Sequence, residues 1–183
     1  MEDKEKIENS TKKLEFVNQW ISNCDTKSSF VLAFYGIILT IIFTSDIGKD
    51  VIETLSFNKS EVIDYRSFGN FILFLVTIAF FITSIITLYQ IYSTLKGRID
   101  AEIYKQSGLN TKSNIFFGSI ASKTFDDFEK GSNSQDETNY LNDLNSQVYI
   151  NSRIAFEKFK HYNQSLIWMF ISLVTFIVFV ILK

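Results

Sequence analysis

Few side chains in this sequence are suited to chemistry, and they do not converge. His161 is the single histidine and Cys24 the single cysteine. A zinc site needs three or four His, Cys or carboxylate ligands brought together, and His161 has neither a second His nor a Cys near it in sequence. A single Cys forms no intrachain disulfide, and beside an apolar helix face it reads as a small core residue. Asp126–Asp127 and Asp136–Glu137 are adjacent pairs. Neighbouring positions on a helix point in different directions, so these carboxylates read as solvated charge rather than an acid–base couple. There is no glycine-rich phosphate cradle, nucleophile elbow or His-Glu-x-x-His sequence. His161, next to Lys160, reads as a structural or exposed side chain. The expectation is a protein that is not an enzyme and holds no metal or cofactor.

The polar groups that remain sit inside apolar runs. Thr83, Ser84 and Thr87 lie close to Gln90, and Ser172 and Thr175 fall in a later run. Hydroxyls in such places bond across helices and support oligomers, or return to their own backbone carbonyls. Three uncharged runs contain or adjoin them: 28–44, 68–89 and 165–182. Each falls within the roughly 17–25 residues that a helix needs to cross the hydrocarbon core. Hydrophobic residues make up 46% of the chain, with 19 Phe and no Pro, and they are gathered in these blocks. Buried helices of a soluble protein would not ordinarily give three uncharged runs of this length. With no Asp, Glu, Lys or Arg inside the runs, an ion-coupled transporter is disfavoured, since such machines place ionisable groups at the midplane. The net charge of −2 gives no global attraction for nucleic acid.

Local charge sets the expected orientation. Lys12, Lys13 and Lys27 precede the first run, Lys96 and Arg98 follow the second, and Arg153, Lys158 and Lys160 precede the third. The connection 45–67 holds Lys49, Lys59 and Arg66. Positive-inside bias then places 1–27 and 90–164 in the cytoplasm, 45–67 as an external loop and Lys183 outside. Trp168, Tyr89, Tyr92 and Tyr162 fall at the cytoplasmic ends of the runs, where amphipathic rings favour the interface. The first 27 residues are acidic and polar, unlike a cleaved leader, so the first run is expected to stay in place.

Two of the runs continue as amphipathic helices. Leu14, Val17, Ile21, Cys24 and Ser28 share one helical face, as do Leu141, Leu144, Val148, Ala155, Phe159, Tyr162 and Leu166. The expected fold is an all-α membrane protein with three transmembrane helices, the first and third extended into a cytoplasmic helical module. The two stripes face each other, a second protomer, or the membrane surface. Between them, Gly108 and Asn110 predict a turn, and GSNSQDETN (131–139) predicts a polar, mobile loop. Thr124 with Asp127 has the spacing of a helix N-cap box. Gly118, inside the apolar SNIFFGSIAS (113–122), marks close backbone approach to a helix or a ligand.

Three segments carry a resemblance. NCDTKSSFVLAFYGIILTII (23–42) has an Asp-x-Lys and small residues leading into an apolar run. NIFFGSIAS (114–122) ends an apolar run in Phe-Gly-x-Ile-Ala. DLNSQVYINSRIAFEKFKHYNQSL (143–166) has an Asn-x-x-Ile and a following Lys just before the last run. In this order and around these runs, the chain resembles the Pycsar membrane effector family along nearly its whole length, as one domain, 1–183.

The resemblance implies an effector of a bacterial anti-phage system. A pyrimidine cyclase makes cyclic UMP or cyclic CMP on infection, and the effector responds at the inner membrane with abortive infection. The implied partners are that cyclic nucleotide, membrane lipid and further copies of the chain. A cyclic nucleotide carries one phosphate charge and a flat base, so Lys27, Arg98, Arg153 and Lys158 are the candidate cations. Phe117 with Gly118 offers stacking or close approach, Asn151 a base-edge contact, and Asp25 a resting partner for Lys27 or Arg98. The same cations also serve as positive-inside anchors. A structural or partner-binding membrane protein, or a small ungated channel, is the alternative.

Overall fold

The computed structural model describes residues 2–55, 65–96 and 106–183, so Arg98 lies outside the described residues. Among these described residues six helices follow in order, α1 (Glu2–Thr44), α2 (Asp46–Leu55), α3 (Tyr65–Lys96), α4 (Phe117–Ala121), α5 (Phe125–Asn133) and α6 (Glu137–Leu182), with no strand. Helices α1, α3 and α6 are long and apolar enough to cross a membrane. At 43 and 46 residues, α1 and α6 are about twice the length a crossing needs. The expected extensions of the first and third spans are therefore present as continuous helix. The chain divides into two compact units: Met1–Cys24 with Gly97–Lys158, and Asp25–Lys96 with Phe159–Lys183.

The second unit contains the apolar runs, and its interior is the more polar side of its helices. Buried positions recur every seven residues: Ser28, Tyr35 and Ile42 on α1, Thr77, Ser84 and Ile91 on α3, and Ser165, Ser172 and Phe179 on α6. Phe80, Thr87 and Thr94 fill the alternate positions on α3. This is the heptad spacing of supercoiled helices, with hydroxyls where a soluble coiled coil places leucine. The large apolar side chains Phe30, Phe34, Ile82, Ile85, Phe170 and Ile177 are instead exposed. Contacts fix the directions. Tyr35 meets Ser84 while Phe43 meets Phe80 and Phe81, so α1 and α3 run antiparallel. Ser172 meets Ser84 while His161 Nδ1 lies 2.7 Å from Gln90 Oε1, so α3 and α6 are antiparallel as well.

The threonines and serines divide the two roles open to membrane hydroxyls. Thr77, Thr83, Thr87, Thr94 and Thr175 donate to carbonyls three or four residues back on their own helices. Ser84 and Ser172 bond between helices. Tyr35 Oη donates to Ser84 Oγ at 2.9 Å and lies 2.7 Å from Ser172 Oγ, and the two serine oxygens are 2.9 Å apart. Each hydroxyl donates once and accepts once in this closed ring, and Tyr35 and Ser172 are 0% exposed. His161, bonded to Gln90, is a structural tie.

The connection 45–67, expected as a loop, carries α2. Asp46 and Lys49 pair at 2.8 Å in its first turn, Lys183 pairs with Asp50, and Val51 is buried. Gly48 is what lets α2 fold back: a Cβ there would run into the Ile42 carbonyl and the Phe43 backbone.

In the first unit, α1 and α6 run parallel. Ser10 Oγ donates to Asn145 Oδ1 at 2.9 Å, and Asn151 Nδ2 donates to Asn18 Oδ1 at 2.8 Å. Cys24 is buried, as expected of a small core residue. Thr124 caps α5 by accepting from Asp127 N at 3.2 Å, and its hydroxyl donates to the Asp127 carboxylate at 2.7 Å. The loop predicted over 131–139 shrinks to 134–136. Asp136 Oδ1 accepts from Asn139 N at 2.7 Å and so starts α6 inside the polar run.

Removing only the Tyr35 hydroxyl tests the ring. Tyr35→Phe is expected to destabilise the purified protein in detergent by about 0.5–1.5 kcal/mol, and Tyr35→Ala by about 3 kcal/mol or more. Denaturant titration followed by circular dichroism reads both, and an unchanged midpoint for Tyr35→Phe would show that the ring contributes nothing. Gly48→Ala forces α2 off the end of α1 and is expected to cost about 1–3 kcal/mol in the same titration.

Candidate functional site

The most closely tied segment of the first unit is 106–123. Gly108, at φ +86°, allows the turn in which Leu109 N donates to Gln106 O at 3.4 Å. Asn110 N then donates to Ser146 Oγ of α6 at 3.0 Å, and Asn114 N donates to Asp143 Oδ2 at 2.8 Å. Asp143 and Ser146 are three residues apart on α6, so both bonds fall on one helical face. Lys123 Nζ fastens the segment by donating to Lys112 O, Ser113 O and Asn114 Oδ1 at 3.3, 3.1 and 2.5 Å. Ser113, 1% exposed, accepts from both Ile115 N and Phe116 N at 3.0 Å. Those two bonds set the backbone that aims Phe116.

Phe116 is the N-cap of α4, with φ −77° and ψ 122°. Its ring lies across Gly118, where a Cβ would come within 2.6 Å of a ring carbon. Gly118 thus serves close approach, but to the ring of Phe116. Phe116, Gly118, Ser119, Gln147 and Ile150 line a cavity of about 230 Å³. Gln147 is only 5% exposed, and its side-chain amide has no hydrogen-bond partner among the described residues. A second cavity, of about 380 Å³, is lined by amides, among them Asn114, Gln135, Asn139 and Asn142, and Asn110 borders both. Asp143 is fully buried, and its Oδ1 lacks a hydrogen-bond partner among the described residues. No Lys or Arg lines either cavity among the described residues.

The described residues among those singled out in the sequence belong to both units. Phe117, expected to stack, is 78% exposed, and the neighbouring Phe116 takes the inward position. The extended backbone at the N-cap decides which of two adjacent rings turns inward, and Ser113 imposes that backbone. Gly118 is at the cavity. Asn151 is held by Asn18 on α1. Arg153 is exposed and Lys158 is buried. Asp25 and Lys27 belong to the second unit, with Lys27 exposed and Asp25 half-buried. Gln147 was not singled out, yet its signal was present. It lies three residues after Leu144 on the helix face that turns inward, an amide where an apolar side chain would serve packing.

The family model described as the Pycsar effector protein domain matches residues 9–183. The Pycsar effector protein GmPycTM of Gulbenkiania mobilis is 35% identical over 179 residues, an alignment covering 93% of this chain and 89% of that relative. No solved structure matches the chain. The match takes in α1 from its second turn, all three membrane-length helices and the whole 106–123 segment. The chain therefore belongs to the Pycsar effector family, the transmembrane effectors of an anti-phage defence system.

Proposed function

We propose that this chain is switched on by a cyclic pyrimidine nucleotide, cyclic UMP or cyclic CMP, and that it then impairs the inner membrane in abortive infection. The observation that carries this reading is the first unit's cavity. It is closed by the family-like segment 114–122 and by α6, and it presents an aromatic ring and an unpartnered amide to whatever enters. The distribution of basic residues supports a cytoplasmic first unit and N-terminus, on the side where a cyclase works, with Lys183 outside. Exposed aromatic rings outside the apolar runs, Phe16 and Phe156 among them, support assembly with further copies of the chain.

Lys27, Arg98, Arg153 and Lys158 are the proposed sources of a cation for the phosphate, with Asp25 as the resting partner of Lys27 or Arg98. Ligand binding acts by favouring one helix arrangement over another. Shifting a closed state from about 99% to about 1% needs a differential affinity of about 10⁴-fold. A single bound nucleotide does not easily supply so much, whereas several copies acting together do.

Reconstitution tests this reading. The purified protein in dye-loaded vesicles of bacterial lipid is expected to release dye when cyclic UMP or cyclic CMP is added on the side of the first unit, and to retain it without nucleotide. Equal release without nucleotide points to an ungated channel. Retention under every condition, with no saturable nucleotide binding in detergent, leaves a structural or partner-binding protein.

A further inference from the structure

We infer that Gln147 and Phe116 form the slot that reads the pyrimidine ring of the activating nucleotide, an inference that rests on the proposed trigger. Gln147 is 5% exposed and makes no hydrogen bond among the described residues, so its amide is available to bond what enters the cavity. The Gln147 amide offers one acceptor oxygen and two donor hydrogens from a planar group. A pyrimidine edge presents the same alternation: a ring N–H between two carbonyl oxygens in uracil, a ring nitrogen beside an amino group in cytosine. The amide can turn to satisfy either. The Phe116 ring supplies the flat apolar face on which a base stacks, a contact any base can use. Gly118 and Ile150 complete an enclosure without charge.

Size argues for the base alone. Ligand pockets that hold a whole small molecule run from about 300 to 1,000 Å³, and this cavity is about 230 Å³. It suits a base with its ribose and phosphate outside. The absence of Lys and Arg from its lining among the described residues agrees with a slot for the uncharged base. Ser119 Oγ donates weakly to Thr111 O at 3.4 Å, and Ser122 Oγ is engaged with Ser119 O at 2.8 Å. Asn110 Oδ1 is taken by Lys112 N at 3.0 Å and Thr111 is exposed, so Gln147 is the buried polar side chain at the slot with both its donors and its acceptor available.

The test uses the full chain in detergent, with binding of cyclic UMP, cyclic CMP and cyclic AMP measured calorimetrically and thermal unfolding recorded for every variant. Gln147→Leu is expected to weaken both pyrimidine nucleotides by about tenfold or more while the unfolding temperature holds or rises. Phe116→Leu is expected to weaken them to a similar degree. Gln147→Glu replaces donors by acceptors, which suit the cytosine amino group and repel the uracil carbonyls. It is expected to move the preference about tenfold towards cyclic CMP. Wild-type affinity for cyclic AMP equal to that for the pyrimidine nucleotides overturns the slot. Unchanged pyrimidine binding by Gln147→Leu does so too, as does a binding loss that comes with a lowered unfolding temperature in that variant. If the wild type binds neither pyrimidine nucleotide, the proposed trigger fails and the slot with it.

Discussion

Helices surrounded by lipid gain nothing by hiding apolar surface from one another, because the lipid tails are as apolar as leucine. Whatever holds α1, α3 and α6 together in the second unit must come from close packing and from hydrogen bonds that lipid cannot offer. The unit is built to that rule. Serine, threonine and Tyr35 occupy the heptad positions inside, and phenylalanine and isoleucine lie outside. The threonines satisfy their hydroxyls on their own helices and act as small packing residues. Ser84, Ser172 and Tyr35 form the one hydroxyl ring in which all three helices meet among the described residues. Gln90 with His161 adds a second tie between α3 and α6.

The first unit follows the opposite economy. Its segment 106–123 is too short to build a core of its own, and backbone-to-side-chain bonds hold it to α6. Asp143 and Ser146 accept from the segment, and Lys123 gathers three of its oxygens. The cavities at this junction follow from that construction. A loop fastened by polar bonds at a few points does not fill the volume beneath it as interdigitated side chains would. What is left over is lined by amides and by one aromatic ring. Gln147 belongs to the same uninterrupted helix as Ser172, so a change in its surroundings acts on an element shared by both units.

Much of this was legible in the residues themselves. Uncharged runs gave the three membrane-length helices, and apolar positions recurring at three and four residues gave their continuation as α1 and α6. Thr124 with Asp127 gave the cap of α5. The misses have local causes. Asp46–Leu55 carries an apolar face of Ile47, Val51, Ile52 and Leu55, but it is short and contains Gly48, so its helix depends on a close approach to the end of α1 that only the folded chain supplies. Asp136 reads as one more loop residue until its carboxylate is seen capping α6. Phe116 and Phe117 are indistinguishable in a string of letters, and the choice between them rests on two hydrogen bonds to Ser113. Gln147 was legible only as an amide in an apolar stripe.

The order in which the two units are written along the chain bears on how such a protein can fail. The second unit needs residues 159–183, and these follow the segment 97–158 that completes the first. A premature stop before residue 159 therefore removes a membrane-spanning helix in every case. No such truncation can leave the second unit whole and the first unit missing. For a protein proposed to kill its own cell on command, such a truncation is expected to produce silence and not an uncontrolled toxin, a safeguard that comes from chain order alone.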